Sequence, residues 1–171
     1  RPPEAIYDIQ YEKPIPLVPR HLRLEVEERV NYEGNVIKDL KEDNLPWIIQ
    51  KIRQEKIDSL AICLLFSYLN PDHERRLRSL IRDALPQLPV LLSSDILPEF
   101  REYERTSATV INAYIEPAIH DYLARMKKEL QKHDLEKKFY IMQSNGGLTT
   151  PEVCIKKPST TILSGPSGGV I

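Results

Sequence analysis

Leu60-Ala61-Ile62-Cys63-Leu64-Leu65-Phe66 is an unbroken apolar run, and its reading decides the fold. A run of that kind, bounded by polar residues, predicts a strand covered on both faces, as in a parallel sheet. Its flanks predict helices. On one side Asn44 can cap a helix that carries Pro46 in its first turn, and Leu45, Ile48, Ile49 and Ile52 make one apolar stripe. On the other side Asn70-Pro71 opens a second helix. Asp72 and Glu74 suit its positive end, and Leu77, Leu80, Ile81 and Leu85 form its buried stripe. Pro86 and Pro89 fence the exit, and Val90-Leu91-Leu92 is the next strand. Alternation of strand and helix argues for an α/β layer structure, and right-handed crossovers make successive strands parallel.

Further out, Arg1 to Pro19 is a proline-rich lead-in, with Pro2, Pro3, Pro14, Pro16 and Pro19 forcing an extended chain. Leu22, Leu24 and Val26 alternate with Arg23, Glu25 and Glu27, the period of a half-buried strand. Tyr32-Glu33-Gly34-Asn35 is a turn and Val36-Ile37 the returning strand, which makes a hairpin. Downstream, Ser93 to Pro98 reads as a loop, and the chain is helical from about Glu99 to His133. Ile111, Tyr114, Ile115, Ala118, Ile119, Tyr122, Met126 and Leu130 hold helical spacing there and are expected in the core. Pro117 inside this pattern is expected to kink the helix or split it in two. The expected division is a lead-in over 1–19, an α/β domain over 20–137, and the start of a further α/β half over 138–171.

The final stretch holds the candidate site. Phe139-Tyr140-Ile141-Met142 empties into Gln143-Ser144-Asn145-Gly146-Gly147, and Thr160-Thr161-Ile162-Leu163 into Ser164-Gly165-Pro166-Ser167-Gly168-Gly169. Both apolar runs are expected to be strands. A Gly-Gly pair marks either a tight turn and nothing more, or backbone that must pass close to an anion such as a phosphate. On the second alternative Ser144, Asn145, Gly146, Gly147, Ser164, Gly165, Ser167, Gly168 and Gly169 are the candidate binding residues, offering hydroxyl, amide and backbone N–H donors. If all strands are parallel, residues 67–73, 93–98, 143–147 and 164–169 gather at one sheet edge, where ligands of open α/β sheets bind. No lysine follows the glycines as in a P-loop, and Gly-x-Gly-x-x-Gly does not occur.

Composition limits the alternatives. The chain has 171 residues, 41% hydrophobic and 29% charged, with a net charge of −1. No global field recruits nucleic acid or an anionic membrane, and no apolar run approaches a membrane span. Cys63 and Cys154 make neither a disulfide framework nor a metal cluster, which fits a reducing cytoplasm. His21, His73, His120 and His133 are scattered and read as surface or capping residues, so no metal site is expected. Arg101, Glu102, Glu104 and Arg105 read as helix-surface ion pairs. Thr106, Ser107 and Cys154 have no base nearby, so no catalytic nucleophile is assigned. The chain begins at Arg1 without Met and stops just after a glycine pair, so both ends are expected to be internal to a larger polypeptide.

Several motifs in one order resemble the hydantoinase/oxoprolinase family. They are Lys13-Pro14, Pro19-Arg20 and Glu25-Val26-x-Glu28-Arg29, then Asn70-Pro71-x-His73-Glu74. Pro98-Glu99-Phe100-Arg101-Glu102-Tyr103-Glu104-Arg105-Thr106-Ser107 follows, then Asn112-Ala113-Tyr114 with Pro117, and last the two glycine segments. The likeness runs along essentially the whole chain and is to the A-type subunit. It implies an actin/hexokinase-like ATPase fold of RNase H-like halves. It also implies ATP with Mg²⁺, a small cyclic amide substrate whose ring carbonyl is activated by phosphorylation, and a B-type partner subunit. Phosphorylation would turn a poorly electrophilic lactam's oxygen into a leaving group, work done by positioning and Mg²⁺. The family's Asp-x-Gly-Gly-Thr phosphate loops are missing from Arg1–Ile171, and Ser167 stands where the family more often has Ala. The segment is therefore expected to be an internal, inactive piece whose glycine loops are secondary walls of the cleft. Two alternatives stay open: a piece of an ATP-dependent carboxylase of the acetone carboxylase type, or a non-catalytic binding module. A homodimer through an exposed core face is a further expectation.

Overall fold

The computed structural model describes residues 7–12, 14–133 and 139–169. Pro2, Pro3, Lys13, the expected boundary at residue 137, and Val170 and Ile171 lie outside the described residues, as do the side chains of Ser167 and Gly168. From Tyr7 to Pro19 the described residues form neither helix nor strand, and Tyr7, Ile9 and Ile15 are more than nine-tenths exposed.

The expected hairpin is present, but its paired part is short. β1 (Arg29–Val30) runs antiparallel to β2 (Val36–Lys38). The alternation upstream is real: Leu22, Leu24, Val26, Glu28 and Val30 are turned inward and the residues between them outward. Asn31 closes the turn, its Oδ1 accepting the backbone N–H of Glu33 at 3.0 Å and of Asn35 at 2.9 Å. Val36 and Ile37 are exposed.

The central layer follows the reading of residues 60–66. β3 (Leu60–Ile62) pairs in parallel with β4 (Val90–Leu92), Leu60 opposite Val90 and Ile62 opposite Leu92. α1 (Leu45–Gln54) and α2 (Asp72–Ala84) carry the stripes expected of them. Leu45, Ile62, Leu77, Ile81, Val90 and Leu92 form the core, with Leu60, Leu80, Leu85 and Ile49 packed around it. All three residues of β4 are buried, as a strand covered on both faces requires. Asn44 does stand at the N-cap of α1, but its side chain does not cap. Its Nδ2 instead donates to the Glu25 carbonyl at 2.9 Å, which ties the hairpin's lead strand to the helix.

Four expectations are corrected. Residues 93–96 are a one-turn helix, α3 (Ser93–Ile96), rather than a loop. The mainly parallel sheet is, among the described residues, three separate two-stranded pieces, of which only β3–β4 is parallel. Thr160 to Leu163 is no strand: Pro158–Thr161 is a 3-10 turn that leads into a short helix. Proline at its start and the local bonds from the Thr160 and Thr161 hydroxyls to the Lys157 and Pro158 carbonyls outweigh the β-branched composition.

The fourth correction concerns α4 (Glu102–Gln131): of the two outcomes expected at Pro117, division of the helix does not occur. A proline at 117 removes the N–H that would bond the Ala113 carbonyl, and leaves that carbonyl an orphan. The Ser59 hydroxyl, just ahead of β3, donates to it. The loss is thus repaired from outside the helix, and the helix runs on. The buried face is also not the expected one. Arg105, Thr109, Asn112, Ala113, Glu116 and Leu123 are buried, while Ile111, Tyr114 and Tyr122 are 40%, 67% and 51% exposed. The inward face is largely polar, and Arg105 and Asn112 on it bond to backbone outside the helix.

Ser59→Ala is expected to destabilise the chain by about 1–2 kcal/mol, the cost of a buried carbonyl left without a donor. In a Pro117→Ala background, where residue 117 supplies its own N–H, the same change should cost much less. Chemical denaturation of the four variants checks this, and equal costs in both backgrounds would refute the repair.

Candidate functional site

At the carboxyl ends of β3 and β4 the chain builds a buried polar cluster that the sequence did not announce. Glu74, in the first turn of α2, is fully buried. One carboxylate oxygen accepts the Leu64 N–H at 2.9 Å and the Ser93 hydroxyl at 2.6 Å. The other accepts the Ser94 N–H at 3.0 Å and the Ser94 hydroxyl at 2.7 Å. Ser93 also meets Ser67 at 3.0 Å between hydroxyl oxygens. One side chain on α2 therefore holds the exits of both parallel strands. Of the expected convergence at this edge, residues 67–73 and 93–98 do come together.

Arg105 holds the same connection from the opposite side. It is not a surface ion-pair residue but 1% exposed. Its guanidinium donates to the Leu64 carbonyl at 2.7 Å and to the Glu99 carbonyl at 3.0 Å, and lies 5.4 Å from the Tyr68 ring centre. Leu64 is thus pinned at its N–H by Glu74 and at its C=O by Arg105. Beyond it Phe66 sits at φ 55°, left-handed backbone that costs an aromatic residue about 1–2 kcal/mol and persists only where its surroundings impose it. Cys63 lies in the same place, and burial pushes its thiol up to about 11 despite hydrogen bonds from Thr109 and Thr106. It is an inert packing residue, since the thiolate is the reactive form.

The hairpin is tied to this connection. Asn70 Nδ2 donates to the Gly34 carbonyl at 3.0 Å, and His73 Nδ1 lies 2.7 Å from the Glu28 carboxylate. His73 is therefore an inward hydrogen-bond partner of Glu28 and not a surface residue, its side chain only 13% exposed. Glu74, Ser93 and Ser94 were missed as site residues; their signal is the pairing of an acid in a helix's first turn with serines directly after a buried strand.

The glycine segments lie elsewhere, at the far half of α4. β5 (Ile141–Met142) and β6 (Leu148–Thr149) form an antiparallel hairpin rather than a further parallel strand, followed by α5 (Pro151–Lys156) and α6 (Ser164–Gly168). Residues 143–147 are its tip. The Gly146 N–H donates to the Gln143 carbonyl at 3.0 Å and the Gly147 N–H to Asn145 Oδ1 at 2.9 Å. Both amides, and the Asn145 side-chain oxygen, thus serve the turn itself. The two glycine segments do meet: the Ser144 N–H donates to the Thr160 carbonyl at 2.6 Å, and Ser144 Oγ accepts the Leu163 N–H at 3.0 Å. Ser164 follows directly and lines a cavity of about 280 Å³ with Ile119, Leu123, Met126 and Cys154. Asn112 anchors this region to α4, its Oδ1 accepting the Ser159 N–H at 2.9 Å. Among the described residues no group of three or more His, Cys, Asp or Glu side chains is placed to hold a metal ion, and no helix is long and apolar enough to cross a membrane.

The tip is strained enough to test. Gly146 has φ 83°, and a Cβ at Gly147 would stand 3.1 Å from Asn145 Oδ1 and 3.2 Å from Gln143 Oε1. Gly146→Ala is expected to cost about 1 kcal/mol through the left-handed backbone alone. Amide exchange at Gln143 and Gly147 would report it as faster opening of the β5–β6 turn. Unchanged exchange and an unchanged melting point would refute it.

The comparisons decide what this architecture belongs to. Residues 1–85 match the hydantoinase/oxoprolinase N-terminal region, and residues 105–171 match the hydantoinase/oxoprolinase domain. The chain belongs to the hydantoinase/oxoprolinase family. An uncharacterised protein of Methanocaldococcus jannaschii is 41% identical over 97% of this chain and 24% of its own length. The caprolactamase alpha subunit of Pseudomonas jessenii is 34% identical over 94% of the chain and 23% of its own. The crystal structure of that ATP-dependent caprolactamase superposes with a TM-score of 0.83. A nucleotide-free acetone carboxylase, 30% identical, superposes with a TM-score of 0.80, again over 94% of this chain and 23% of the other. This hydantoinase/oxoprolinase chain thus spans about a quarter of the length of the curated relatives it matches.

Proposed function

We propose that the chain is part of an ATP-dependent enzyme that opens a cyclic amide after activating its ring carbonyl by phosphorylation. The observation that carries this is the match, in sequence and in backbone, to an ATP-dependent caprolactamase along nearly the whole chain. On this reading the fold is a portion of an actin/hexokinase-like ATPase, residues 20–137 and 138–171 belong to successive halves of it, and the protein works in the cytoplasm with a B-type subunit. ATP with Mg²⁺ would supply the phosphoryl group and charge neutralisation.

The residues fit a wall of a nucleotide or substrate cleft better than a phosphate cradle. The amides of Gly146 and Gly147 are used within the turn, and no metal-ligand cluster occurs among the described residues. In this proposal Ser144, Asn145, Gly146, Gly147, Ser164, Gly165, Ser167, Gly168 and Gly169 line that wall. The buried Glu74–Arg105 cluster lies apart from that wall, at the carboxyl ends of β3 and β4. A second reading, a portion of an ATP-dependent carboxylase subunit, is favoured by the acetone carboxylase superposition.

The test is ADP release with caprolactam, 5-oxoproline, hydantoin or acetone with bicarbonate as the added substrate. A longer protein carrying this chain, assayed with its partner subunit, should release ADP faster with one of the lactams. The 171-residue chain by itself should show no turnover above the buffer rate. Stimulation by acetone and bicarbonate alone would select the carboxylase reading, and stimulation by none of them would remove both.

A further inference from the structure

The outward face of α4 carries a pattern that nothing above uses. Ile111, Tyr114 and Tyr122 are exposed, and with Ala118 they fall on a single line along the helix. Glu104 and Ser107 extend that line toward the N-terminus; Arg125, Glu129 and, just past the helix end, Lys132 extend it the other way. The spacings of three and four along it are those of a helix-packing seam. They are also palindromic about Ala118: Tyr114 and Tyr122 lie four positions away on either side, Ile111 and Arg125 seven, Ser107 and Glu129 eleven, Glu104 and Lys132 fourteen.

We propose that this face pairs with a second copy of the chain, two α4 helices packing antiparallel about a two-fold axis at Ala118. A two-fold interface must be self-complementary, each residue i meeting j and j meeting i. Of the pairs such an axis sets, Tyr114 with Tyr122 and Glu104 with Lys132 are complementary in kind, while Ile111 falls opposite Arg125. Ala118 faces Ala118, and the small side chain lets the helices approach closely. Tyr114 stacks against the partner's Tyr122 at two symmetric places. Ser107 reaches the partner's Glu129, and Glu104 the partner's Lys132, so an acidic end of each helix meets the basic end of the other. The ion pairs these groups make within one chain, Glu104 with Arg101 at 3.4 Å and Lys132 with Glu129 at 2.7 Å, are exposed, so exchange for pairs across the interface costs little. The antiparallel arrangement also sets opposite helix-dipole ends side by side. An interface made chiefly by one helix per copy is small, near the lower bound of about 1,200 Å² for specific association, so the dimer is concentration-dependent.

Sedimentation velocity on the 171-residue chain across a wide concentration range tests this. A monomer–dimer equilibrium is expected, weakened at least tenfold by Tyr114→Glu. Glu104→Lys and Lys132→Glu should each weaken it, and the double variant should regain the wild-type constant, because the two charges meet across the axis. Ala118→Cys should form a disulfide-linked dimer under mild oxidation, and the parent chain, whose Cys154 is buried and Cys63 half-buried, should not. Because these side chains are exposed, circular dichroism of each variant should match the parent. A chain that stays monomeric throughout overturns the proposal and leaves the face for other polypeptide. A dimer indifferent to Tyr114→Glu, or a charge swap without rescue, overturns it as well.

Discussion

Glu74→Ala is expected to lower the stability of the chain by about 3–5 kcal/mol, the loss typical of removing one member of a buried charged network. The carboxylate, itself fully buried, accepts from two backbone N–H groups and two serine hydroxyls. Truncation strands all four. Glu74→Gln is the informative companion. The serine hydroxyls can rotate to accept from an amide, but the N–H of Leu64 and of Ser94 can only donate, so one of them must face an NH₂ group. Its cost should fall between parent and Ala. Urea denaturation followed by tryptophan fluorescence and by far-ultraviolet dichroism measures both. A midpoint for Glu74→Ala within error of the parent would show that the carboxylate holds nothing together.

Arg105→Ala should be of comparable size, about 3–5 kcal/mol, because it frees the Leu64 and Glu99 carbonyls and empties a volume close to the Tyr68 ring. Lysine is not a substitute: a single ammonium cannot reach two carbonyls from one fork, so Arg105→Lys should recover only a minor part. Since Glu74 and Arg105 grip the two peptide groups on either side of the Leu64 Cα, their effects should not add. The double variant is expected to fall short of the sum by about 0.5–3 kcal/mol, the usual coupling for residues that share a partner. Strict additivity would mean that the two grips are independent. Relief of the left-handed Phe66 should accompany either loss, visible as altered chemical shifts through residues 63–70 while α5 and the β5–β6 hairpin stay unchanged.

What could be read directly was whatever the hydrophobic pattern dictates. The stripes of α1 and α2, the doubly covered β4 and its parallel pairing with β3 follow from apolar period and from alternation of elements. Even the inward turn of Leu22, Leu24 and Val26 was legible without a paired strand to carry it. α4 was misread for a physical reason. It has two candidate faces, and the one that packs is the more polar, because Arg105 and Asn112 satisfy backbone groups at Leu64 and Ser159 that are remote in sequence. No periodicity index contains those partners. The Thr160–Leu163 run failed in the same way: its β-branched composition spoke for a strand, and hydrogen bonds set by Pro158 and by Ser144 decided otherwise. At the glycine segments the expected gathering at the β3–β4 edge did not occur, because β5 and β6 pair with each other in a separate antiparallel hairpin, and which amides the turn would consume was not legible.

The hydroxyl of Ser59 gives the long helix a mechanical property. A thirty-residue rod with a proline near its middle has one joint of low bending stiffness, and here that joint is braced by a residue belonging to the sheet. The brace holds only while the sheet stays docked. Pulling β3 away would release the Ala113 carbonyl, and the rod would lose its brace next to the proline. A load applied at the strand edge would then be felt at the opposite end, where Asn112 and the residues after it hold the glycine segments.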